Sequence, residues 1–402
     1  MLSYDEALQR ILKETPPPRT ALVRLDEALG LVLAQPVIAG CDLPQCDNSA
    51  VDGYALRASE GVGTLRVVGQ SSAGAPYRGL LRQGEAVRIF TGAVVPRGAE
   101  GIVMQEHVEQ DGRCIRLERP PAAGRHIRRR GDDVHRGAQV LEAGTPLRPQ
   151  EIGLLAALGL SRVRVYRRPV VAVICTGDEL RQPGAALKPG QIYESNGVLL
   201  TALARQAGAT VGYRNVIRDA LQPLSAAMRR GLAAADLLLV SGGVSVGEKD
   251  FVREAARACG IRERFWKVNI KPGMPLFFGR HQRTVVFGLP GNPVSVFATF
   301  EEFVKPAIHH LMGRPWHDGY TTAATLAEAL NVSQTRRTHF IRVRCVAQNA
   351  HLLVHPLDGQ GSHHLHSLVR AHGWIRMTAD EAPWPAGTPV LVKREETRWS
   401  GS

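Results

Sequence analysis

The 402-residue chain has little of several features that define other classes of protein. Its six cysteines form no C-x-x-C pair, which argues against a zinc finger and against a disulfide framework. Aromatic residues make up only 5%, and no RNP-like aromatic motif is present. No apolar run is long enough to cross a bilayer, and the N-terminus has no basic segment leading into an apolar one. We therefore expect a cytoplasmic protein with reduced thiols and no membrane partner.

Basic residues are in excess. The 50 Lys and Arg against 37 Asp and Glu give a formal net charge of +13, which favours anionic partners without choosing among them. The densest basic run is Arg128-Arg129-Arg130, and such runs are usually solvated surface. Because no recognised nucleic-acid-binding motif accompanies the charge, we expect no nucleic-acid partner.

Hydrophobic periodicity predicts a multidomain α/β protein with four parts. These are N-terminal and linking helical segments at 1–40 and 140–168, an inserted β-rich module at 41–139, a central βαβ nucleotide-binding-like domain at 169–317 and a small C-terminal all-β domain at 318–402. Helices are predicted over 3–14, about 25–34, 149–158 and 293–312. Strands of the inserted module are predicted at 64–69, 86–90, 101–108 and 113–118.

Three glycine-bearing turns in the central domain each follow a short apolar run. They are T-G-D-E-L (176–180) after 170–175, S-G-G-V-S-V-G-E-K-D (241–250) after 236–240 and G-L-P-G-N-P (288–293) after 284–287. In an open parallel sheet, ligands bind beyond the carboxyl ends of the strands, where turn N–H groups and helix N-termini face outward. The three turns together therefore predict one site for an anionic, phosphate-bearing ligand.

Each turn also has a structural interpretation. Ser245 and Glu248 form an S-x-x-E capping box, and Asp250 in a first helical turn is favourable through the helix dipole alone. Asn292 and Pro293 are typical of the N-cap and first position of a helix. Capping does not account for the paired glycines Gly242-Gly243 at a strand end.

Further charged residues join the candidate site. Asp219 follows the apolar run 211–217, so it lies at another predicted strand end, although it would also serve as a helix N-cap. Lys267 and Lys271 flank the run 265–271. Carboxylates at strand ends with nearby lysines are what a magnesium site for a phosphate ester needs, since Mg²⁺ takes oxygen ligands and ammonium groups neutralise phosphates.

These residues resemble the molybdopterin molybdenumtransferases, the family of bacterial MoeA and of the corresponding domain of gephyrin. The resemblance rests on motifs in family order over nearly the whole chain. They are D-N-S-A-V-D-G-Y-A (47–55), F-T-G-A (90–93), I-R-R-R-G-D-D (127–133), T-G-D-E-L (176–180), Y-E-S-N (193–196), S-G-G-V-S-V-G-E-K-D (241–250), K-P-G-M-P (271–275), G-L-P-G-N-P (288–293) and G-Q-G-S-H (359–363).

The resemblance implies that the central domain binds molybdopterin and that the chain inserts molybdenum into it. The substrates would be molybdate and adenylylated molybdopterin, the product AMP, and the cofactor Mg²⁺. The resemblance also implies a homodimer with a site shared between subunits, and a molybdopterin adenylyltransferase and apo-molybdoenzymes as partners. The alternative is a carrier or scaffold of the same fold that binds molybdopterin without turnover.

The family motifs assign roles to residues by position. The implied catalytic residues are Asp52, Glu179, Asp219, Asp250, Lys267 and Lys271, of which Glu179, Asp219 and Asp250 would hold the metal. The implied binding residues are Thr91, Asp133, Thr176, Gly177, Asp178, Ser241, Gly242, Gly243, Ser245, Pro290, Gly291, Asn292, Pro293, Arg342 and Ser362. One position departs from the family pattern: Met274 stands where many relatives have a lysine. Either the lost cation weakens the affinity for an oxyanion, or Arg280 or another base substitutes for it.

Overall fold

The computed structural model describes residues 1–119, 122–243, 251–330, 337–349, 351–378 and 384–394. The chain divides into two compact units. The larger unit is built from residues 1–21, 30–32 and 166–402, and the smaller unit from residues 22–29 and 33–165. The finer division into four parts remains a prediction.

The first half of the chain is rich in strands. They are β1 (Thr20–Arg24), β2 (Val32–Leu33), β3 (Val37–Ile38), β4 (Asn48–Ser49), β5 (Gly53–Leu56), β6 (Gly63–Ser71), β7 (Glu85–Ile89), β8 (Gly101–Met104), β9 (Val108–Asp111), β10 (Cys114–Leu117), β11 (Ile127–Arg128), β12 (Gln139–Leu141) and β13 (Arg162–Tyr166). The main sheet of the smaller unit has the order β8-β5-β7-β6-β10-β9. All four predicted strand runs of the β-rich module coincide with all or part of β6, β7, β8 and β10, which confirms them.

Both faces of this sheet are buried. Along β5, Tyr54 and Leu56 belong to one apolar cluster and Ala55 to another. Successive side chains of a strand point to opposite faces, so the sheet separates two small cores.

The predicted helix over 25–34 is wrong. The segment forms a 3₁₀ turn over Leu25–Glu27 and then β2. Gly30 between them has a φ of +74°, in the left-handed region, and a right-handed helix cannot continue through such a residue.

The described helices are α1 (Tyr4–Glu14), α2 (Pro149–Ala157), α3 (Asn196–Gln206), α4 (Leu221–Ala234), α5 (Phe251–Ala258), α6 (Pro293–Thr299), α7 (Lys305–Leu311) and α8 (Leu365–Arg370). The helix predicted over 3–14 is confirmed by α1, which begins with a capping box formed by Ser3 and Glu6. A π-helical turn over Phe300–Val304 joins α6 to α7, so the helix predicted over 293–312 is confirmed with a local change of pitch. No helix in the described residues is long and apolar enough to cross a membrane.

The strands of the central domain are β14 (Val170–Thr176), β15 (Leu180–Arg181), β16 (Ile192–Tyr193), β17 (Thr210–Ile217), β18 (Leu237–Ser241), β19 (Arg262–Trp266), β20 (Ile270–Lys271), β21 (Phe277–His281) and β22 (Thr284–Leu289). A six-stranded sheet has the order β17-β14-β18-β22-β21-β19. Its first four strands are parallel, and β21 and β19 are antiparallel. The βαβ prediction is therefore confirmed.

Helices cover both faces of this sheet. Val171 and Val173 of β14 pack in one apolar cluster with residues of α1, α3, α6 and α7, whereas Ala172 and Ile174 pack in a second cluster with residues of α4 and α5. With both faces occupied, the carboxyl edge of the sheet is the place left for a ligand.

The C-terminal strands are β23 (Tyr320–Leu326), β24 (Thr338–Gln348), β25 (His351–Pro356), β26 (Gly373–Met377) and β27 (Pro389–Arg394). Their sheet has the order β20-β24-β25-β23-β27-β26, and the extra pairing of β24 with β26 closes five of the strands into a barrel. The predicted β domain is confirmed, with the short helix α8 added to it.

Candidate active site

The carboxyl ends of three parallel strands lie side by side. Cys175 near the end of β14 pairs with Ser241 at the end of β18, and Ser241 pairs with Leu289 at the end of β22. The three turns that follow these strands therefore begin at one edge of the sheet, as the sequence predicts.

A cavity of about 990 Å³ opens at this edge. Its walls are the strand-end turns, the start of α3, the segment 270–275, Arg337 and the segment 360–365. The predicted site residues that line it are Thr176, Glu179, Asp219, Ser241, Gly242, Gly243, Lys271, Pro290, Gly291, Asn292, Pro293 and Ser362.

Gly242 allows the second turn to approach the first. Its φ is +96°, and a Cβ at this position would lie 2.3 Å from the backbone oxygen of Thr176. Gly291 in the third turn is different, because a Cβ there would meet no atom within 4 Å. Of these two glycines, Gly242 is therefore the one that both backbone conformation and space require.

Two of the predicted carboxylates, Glu179 and Asp219, line the cavity. The side chain of Thr176 donates a hydrogen bond from Oγ1 to Oδ1 of Asp219, which ties the end of β14 to the loop after β17. The N-cap of α4 is Ala220, so the alternative reading of Asp219 as an N-cap is wrong. Neither Glu179 nor Asp219 forms an ion pair with a lysine or arginine in the described part of the chain.

The two predicted lysines are placed differently. Lys271 lines the cavity, whereas the Nζ of Lys267 lies 4.0 Å from the ring centroid of Trp266, and Lys267 is not part of the described cavity wall. Lys267 has a positive φ of 74°, a conformation that a strand pattern does not reveal. The described cationic residues of the wall are therefore Lys271 and Arg337.

The wall also includes Met274, at the position where many relatives have lysine. Arg280, one suggested replacement for the missing cation, instead donates to the backbone oxygens of Glu14 and Gln282. Arg337 is the base that the structure does bring to the cavity. Burial, and to a smaller extent the charges of Lys271 and Arg337, lower the pKa of nearby His339.

The C-terminal domain contributes the segment that carries Ser362. Asn292 donates from Nδ2 to the Ser362 Oγ at 2.8 Å, and the backbone N–H of Val294 donates to the Ser362 backbone oxygen at 3.1 Å. Asn292 is the N-cap residue of α6, as predicted, but its side chain makes no capping hydrogen bond.

Arg342 lies behind this segment and does not line the cavity. Its side chain is fully buried and donates from Nη2 to the backbone oxygens of Gly359 and Gly361 at 3.0 and 3.3 Å. Burial lowers its pKa to about 10. In this structure Arg342 supports the backbone leading to Ser362.

The start of α3 contains two residues that sequence reasoning missed. Glu194 is almost fully buried; its carboxylate accepts hydrogen bonds from the backbone N–H of Gly197 and from Arg214 Nη2. Burial and the Glu194 carboxylate raise the pKa of the neighbouring Cys175 thiol. Asn196 joins the second and third turns through its side-chain amide. Their position in the Y-E-S-N motif was the available signal.

The remaining predicted residues lie elsewhere. Gly177 and Asp178 are in the first turn but are not part of the described cavity wall, and Ser245 and Asp250 lie outside the described residues. The residues Asp52, Thr91 and Asp133 belong to the smaller unit.

Within the smaller unit, Asp52 and Thr91 form a pair. The backbone N–H and the hydroxyl of Thr91 both donate to Asp52 Oδ1, at 2.7 and 2.8 Å. These bonds lower the pKa of Asp52. Asp133 is exposed, and its backbone N–H donates to the oxygen of Leu43.

Comparison with known proteins gives the family. The MoeA N-terminal region (domain I and II) matches residues 2–159, a probable molybdopterin binding domain matches residues 172–310, and the MoeA C-terminal region (domain IV) matches residues 323–394. The chain is 35% identical to the molybdopterin molybdenumtransferase of Haemophilus influenzae, with 98% of each chain covered. It is 38% identical to molybdopterin molybdenumtransferase 2 of Mycobacterium tuberculosis, with 93% of this chain and 95% of the relative covered.

Solved structures agree with the sequence relatives. The molybdopterin biosynthesis MoeA protein from Pyrococcus horikosii superposes with a TM-score of 0.83 over 98% of this chain and 99% of its own, at 29% identity. Taken with the strand-end cavity, these matches show that the chain belongs to the molybdopterin molybdenumtransferase family.

Proposed function

We propose that this chain transfers molybdenum from molybdate to molybdopterin, with adenylylated molybdopterin as the second substrate, AMP as a product and Mg²⁺ as the cofactor. The observation that carries the proposal is the strand-end cavity, which combines Lys271, glycine-bearing turns and two carboxylates that have no ion-pair partner among the described residues. Backbone N–H groups at such turns and helix N-termini bind phosphate and similar anions.

The carboxylates are suited to a divalent cation. No group of three or more His, Cys, Asp or Glu side chains in the described residues has metal-binding geometry. Mg²⁺ is commonly held by one or two carboxylates plus substrate phosphates, so Glu179 and Asp219 would hold it together with the pyrophosphate; the third predicted ligand, Asp250, lies outside the described residues. When bound, Mg²⁺ supplies charge neutralisation on the pyrophosphate oxygens.

The protein groups then act by binding and orienting. Lys271 and Arg337 neutralise negative charge at the cavity wall, and the turns present N–H groups to oxyanions. The Ser362 hydroxyl, held beside Asn292, is available to molybdate. We expect displacement at the phosphorus on the molybdopterin side of the pyrophosphate: a molybdate oxygen bonds to it, and its bond to the bridging oxygen breaks so that AMP leaves with that oxygen. The dithiolene sulfurs of the substrate then replace oxygen ligands on molybdenum, which leave as phosphate oxygen and water. The dithiolene sulfurs belong to the substrate, so Cys175 needs no role in the chemistry.

The test is AMP release from adenylylated molybdopterin by the purified protein, with and without molybdate and with Mg²⁺ present or chelated. Release that requires both ions supports the proposal. Tight binding of the substrate without release would indicate a carrier or scaffold instead. Asp219→Asn should reduce release by at least 10²-fold, roughly the size of a lost charge-stabilising group. Asp26→Asn is the matched control, because the exposed Asp26 pairs with Arg24 in the smaller unit.

We also propose a cytoplasmic homodimer whose site is shared between subunits. The support is the presence of Asp52 and Asp219, both implied by family motifs, on different units of the chain. Inactive Asp52→Ala and Asp219→Ala proteins should regain about one quarter of wild-type activity after subunit exchange, since half of the dimers are mixed and each has one intact site. No recovery despite exchange would mean that each chain builds its own site.

A further inference from the structure

Asn196 makes two hydrogen bonds to turns that are distant in sequence. Its side-chain Nδ2 donates to Ser241 Oγ at 3.1 Å and to the backbone oxygen of Gly291 at 2.7 Å. Ser241 ends β18 and Gly291 follows β22, so one side chain at the start of α3 contacts two of the turns that line the cavity.

The direction of these bonds is fixed by the neighbouring groups. The Gly291 backbone oxygen only accepts, so the amide nitrogen of Asn196 must face it. The Ser241 hydroxyl donates its hydrogen to the Pro290 backbone oxygen at 3.1 Å and therefore accepts from Asn196. Both N–H groups of the Asn196 amide are thus used.

Within the described part of the chain, the amide oxygen of Asn196 has no hydrogen bond of its own, so the bonds made by the amide nitrogen set the orientation of the side chain. Oδ1 is buried and has no hydrogen-bond partner among the described residues. An unpaired buried acceptor is unfavourable, so each such group calls for a physical reason. Exchanging the amide oxygen and nitrogen would place the oxygen against the Gly291 oxygen and lose both bonds to the turns, so the two bonds made by Nδ2 favour the observed orientation.

Helix capping does not explain these contacts. The N-cap of α3 is Ser195, and the backbone N–H of Gly197 is already bonded to Glu194. The Asn196 amide bonds residues 45 and 95 positions away and makes no capping bond in its own helix. Its contacts serve the tertiary arrangement of the turns.

The turns need such a connection because the sheet ends beneath them. The pairing of β18 with β22 stops at Ser241 and Leu289, and the backbone N–H of Gly242 makes one more bond, to the Leu289 oxygen. Beyond this point, Asn196 and Ser241 link Pro290 and Gly291 to the second turn. A small change in spacing there moves N–H groups on both walls of the cavity.

We propose that Asn196 is a positioning residue for molybdenum transfer, which fixes the distance between Ser241, at the start of the second turn, and Gly291 in the third turn, so that the backbone on both sides of the cavity binds the same oxyanion-bearing substrate. It acts through Ser241 and Gly291, because these two residues accept the hydrogen bonds that its side-chain nitrogen donates. The part of this inference that concerns turnover rests on the proposed function, whereas the part that concerns turn geometry does not.

The first experiment measures geometry without substrate. Hydrogen exchange is followed in peptides covering residues 239–243 and 288–297 of the full-length wild-type, Asn196→Ala and Asn215→Ala proteins. Asn215 is the matched control: it is a half-buried asparagine on neighbouring β17, its amide makes two hydrogen bonds, and it does not line the cavity. We expect exchange at least tenfold faster in both peptides for Asn196→Ala only. Unchanged exchange would overturn the proposal even if wild-type AMP release failed.

The second experiment measures turnover. We expect Asn196→Ala to lower kcat for AMP release by about 10- to 100-fold, since sub-ångström misplacement of binding groups costs rates of this order, while its thermal midpoint stays equal to that of Asn215→Ala. An equal loss of kcat in both variants would indicate a general structural effect and refute the positioning role.

If Asn196→Ala does not fold, the near-isosteric Asn196→Asp tests the same two hydrogen bonds. Its ionised carboxylate donates to neither turn, whereas the protonated acid regains one donor. Activity relative to wild type should therefore rise as the pH is lowered toward the carboxyl pKa. A pH-independent ratio would contradict the hydrogen-bond mechanism.

Discussion

Gly242→Ala tests whether the second turn depends on backbone conformation and close approach. A non-glycine residue held at a φ of +96° costs about 1–3 kcal/mol. The added Cβ would lie 2.3 Å from the Thr176 backbone oxygen, which belongs to a central strand and has little freedom to move. Forcing an extra carbon atom against this oxygen costs about a further 1–3 kcal/mol of stability.

One contribution to the free energy of unfolding opposes this loss of stability. Replacing glycine by alanine restricts the unfolded chain and stabilises the protein by about 0.4–1 kcal/mol. The net expectation for Gly242→Ala is a loss of roughly 1–5 kcal/mol. Gly291→Ala is the matched control, because a Cβ there meets no atom within 4 Å and its φ is not positive.

The assay is urea unfolding followed by tryptophan fluorescence. All five tryptophans occur at or after residue 266, so the signal reports on the larger unit. We expect a lower midpoint for Gly242→Ala and an unchanged one for Gly291→Ala, with similar slopes. Equal midpoints for the two variants would refute the argument from conformation and contact.

Three further predictions concern ionisation, thiol reactivity and the oxyanion. Burial, with the charges of Arg314 and Lys305, lowers the pKa of His309 from 6.5 to about 4, so the unfolded chain binds more protons than the folded chain between these pH values. The free energy of unfolding should therefore fall by up to roughly 3 kcal/mol as the pH drops from 6.5 to about 4. In urea unfolding measured at several pH values, His309→Gln should reduce this loss. A variant with the wild-type pH profile would show that His309 is not responsible. Cys175, buried and with a raised pKa, should react with iodoacetamide at pH 8 far more slowly than Cys41 in a peptide mass-spectrometry time course, and equal rates would contradict its burial in solution. Ser362→Ala should raise the molybdate concentration needed for half-maximal AMP release more than it raises the Mg²⁺ concentration needed. The reason is that Ser362 lines the cavity and is hydrogen-bonded to Asn292, whereas Asp219 is hydrogen-bonded to Thr176; equal shifts in the two concentrations would contradict a molybdate role for Ser362.

The strand-end site was predictable because its signals are local. Short apolar runs predict buried parallel strands, and the glycine turns after them predict where backbone N–H groups face outward. The structure confirms the strands before Thr176, Ser241 and Gly291 and brings their turns to one cavity. The predicted roles of Asp52 and Asp133 involve the smaller unit and remain predictions.

The wrong or missed features depend on geometry that periodicity does not encode. The apolar spacing over 25–34 favours a helix, but the positive φ of Gly30 ends it. The spacing of Lys267 and Lys271 suggested a shared role, yet Lys267 lies against Trp266. The Y-E-S-N motif draws attention to Asn196, but the motif does not reveal its hydrogen-bond partners, which lie 45 and 95 residues away.

The net charge of the whole chain differs from the charge at the candidate site. The net charge of +13 suggests anionic partners, but the described cavity wall carries only Lys271 and Arg337 against Glu179, Asp219 and Glu194. Glu194 is already ion-paired, so the wall is close to neutral. A near-neutral wall with two carboxylates would not attract a pyrophosphate by net charge. We therefore expect directed backbone N–H groups to bind the oxyanion together with Lys271 and Arg337, and the two carboxylates favour a bridging cation, which supports the proposed magnesium requirement.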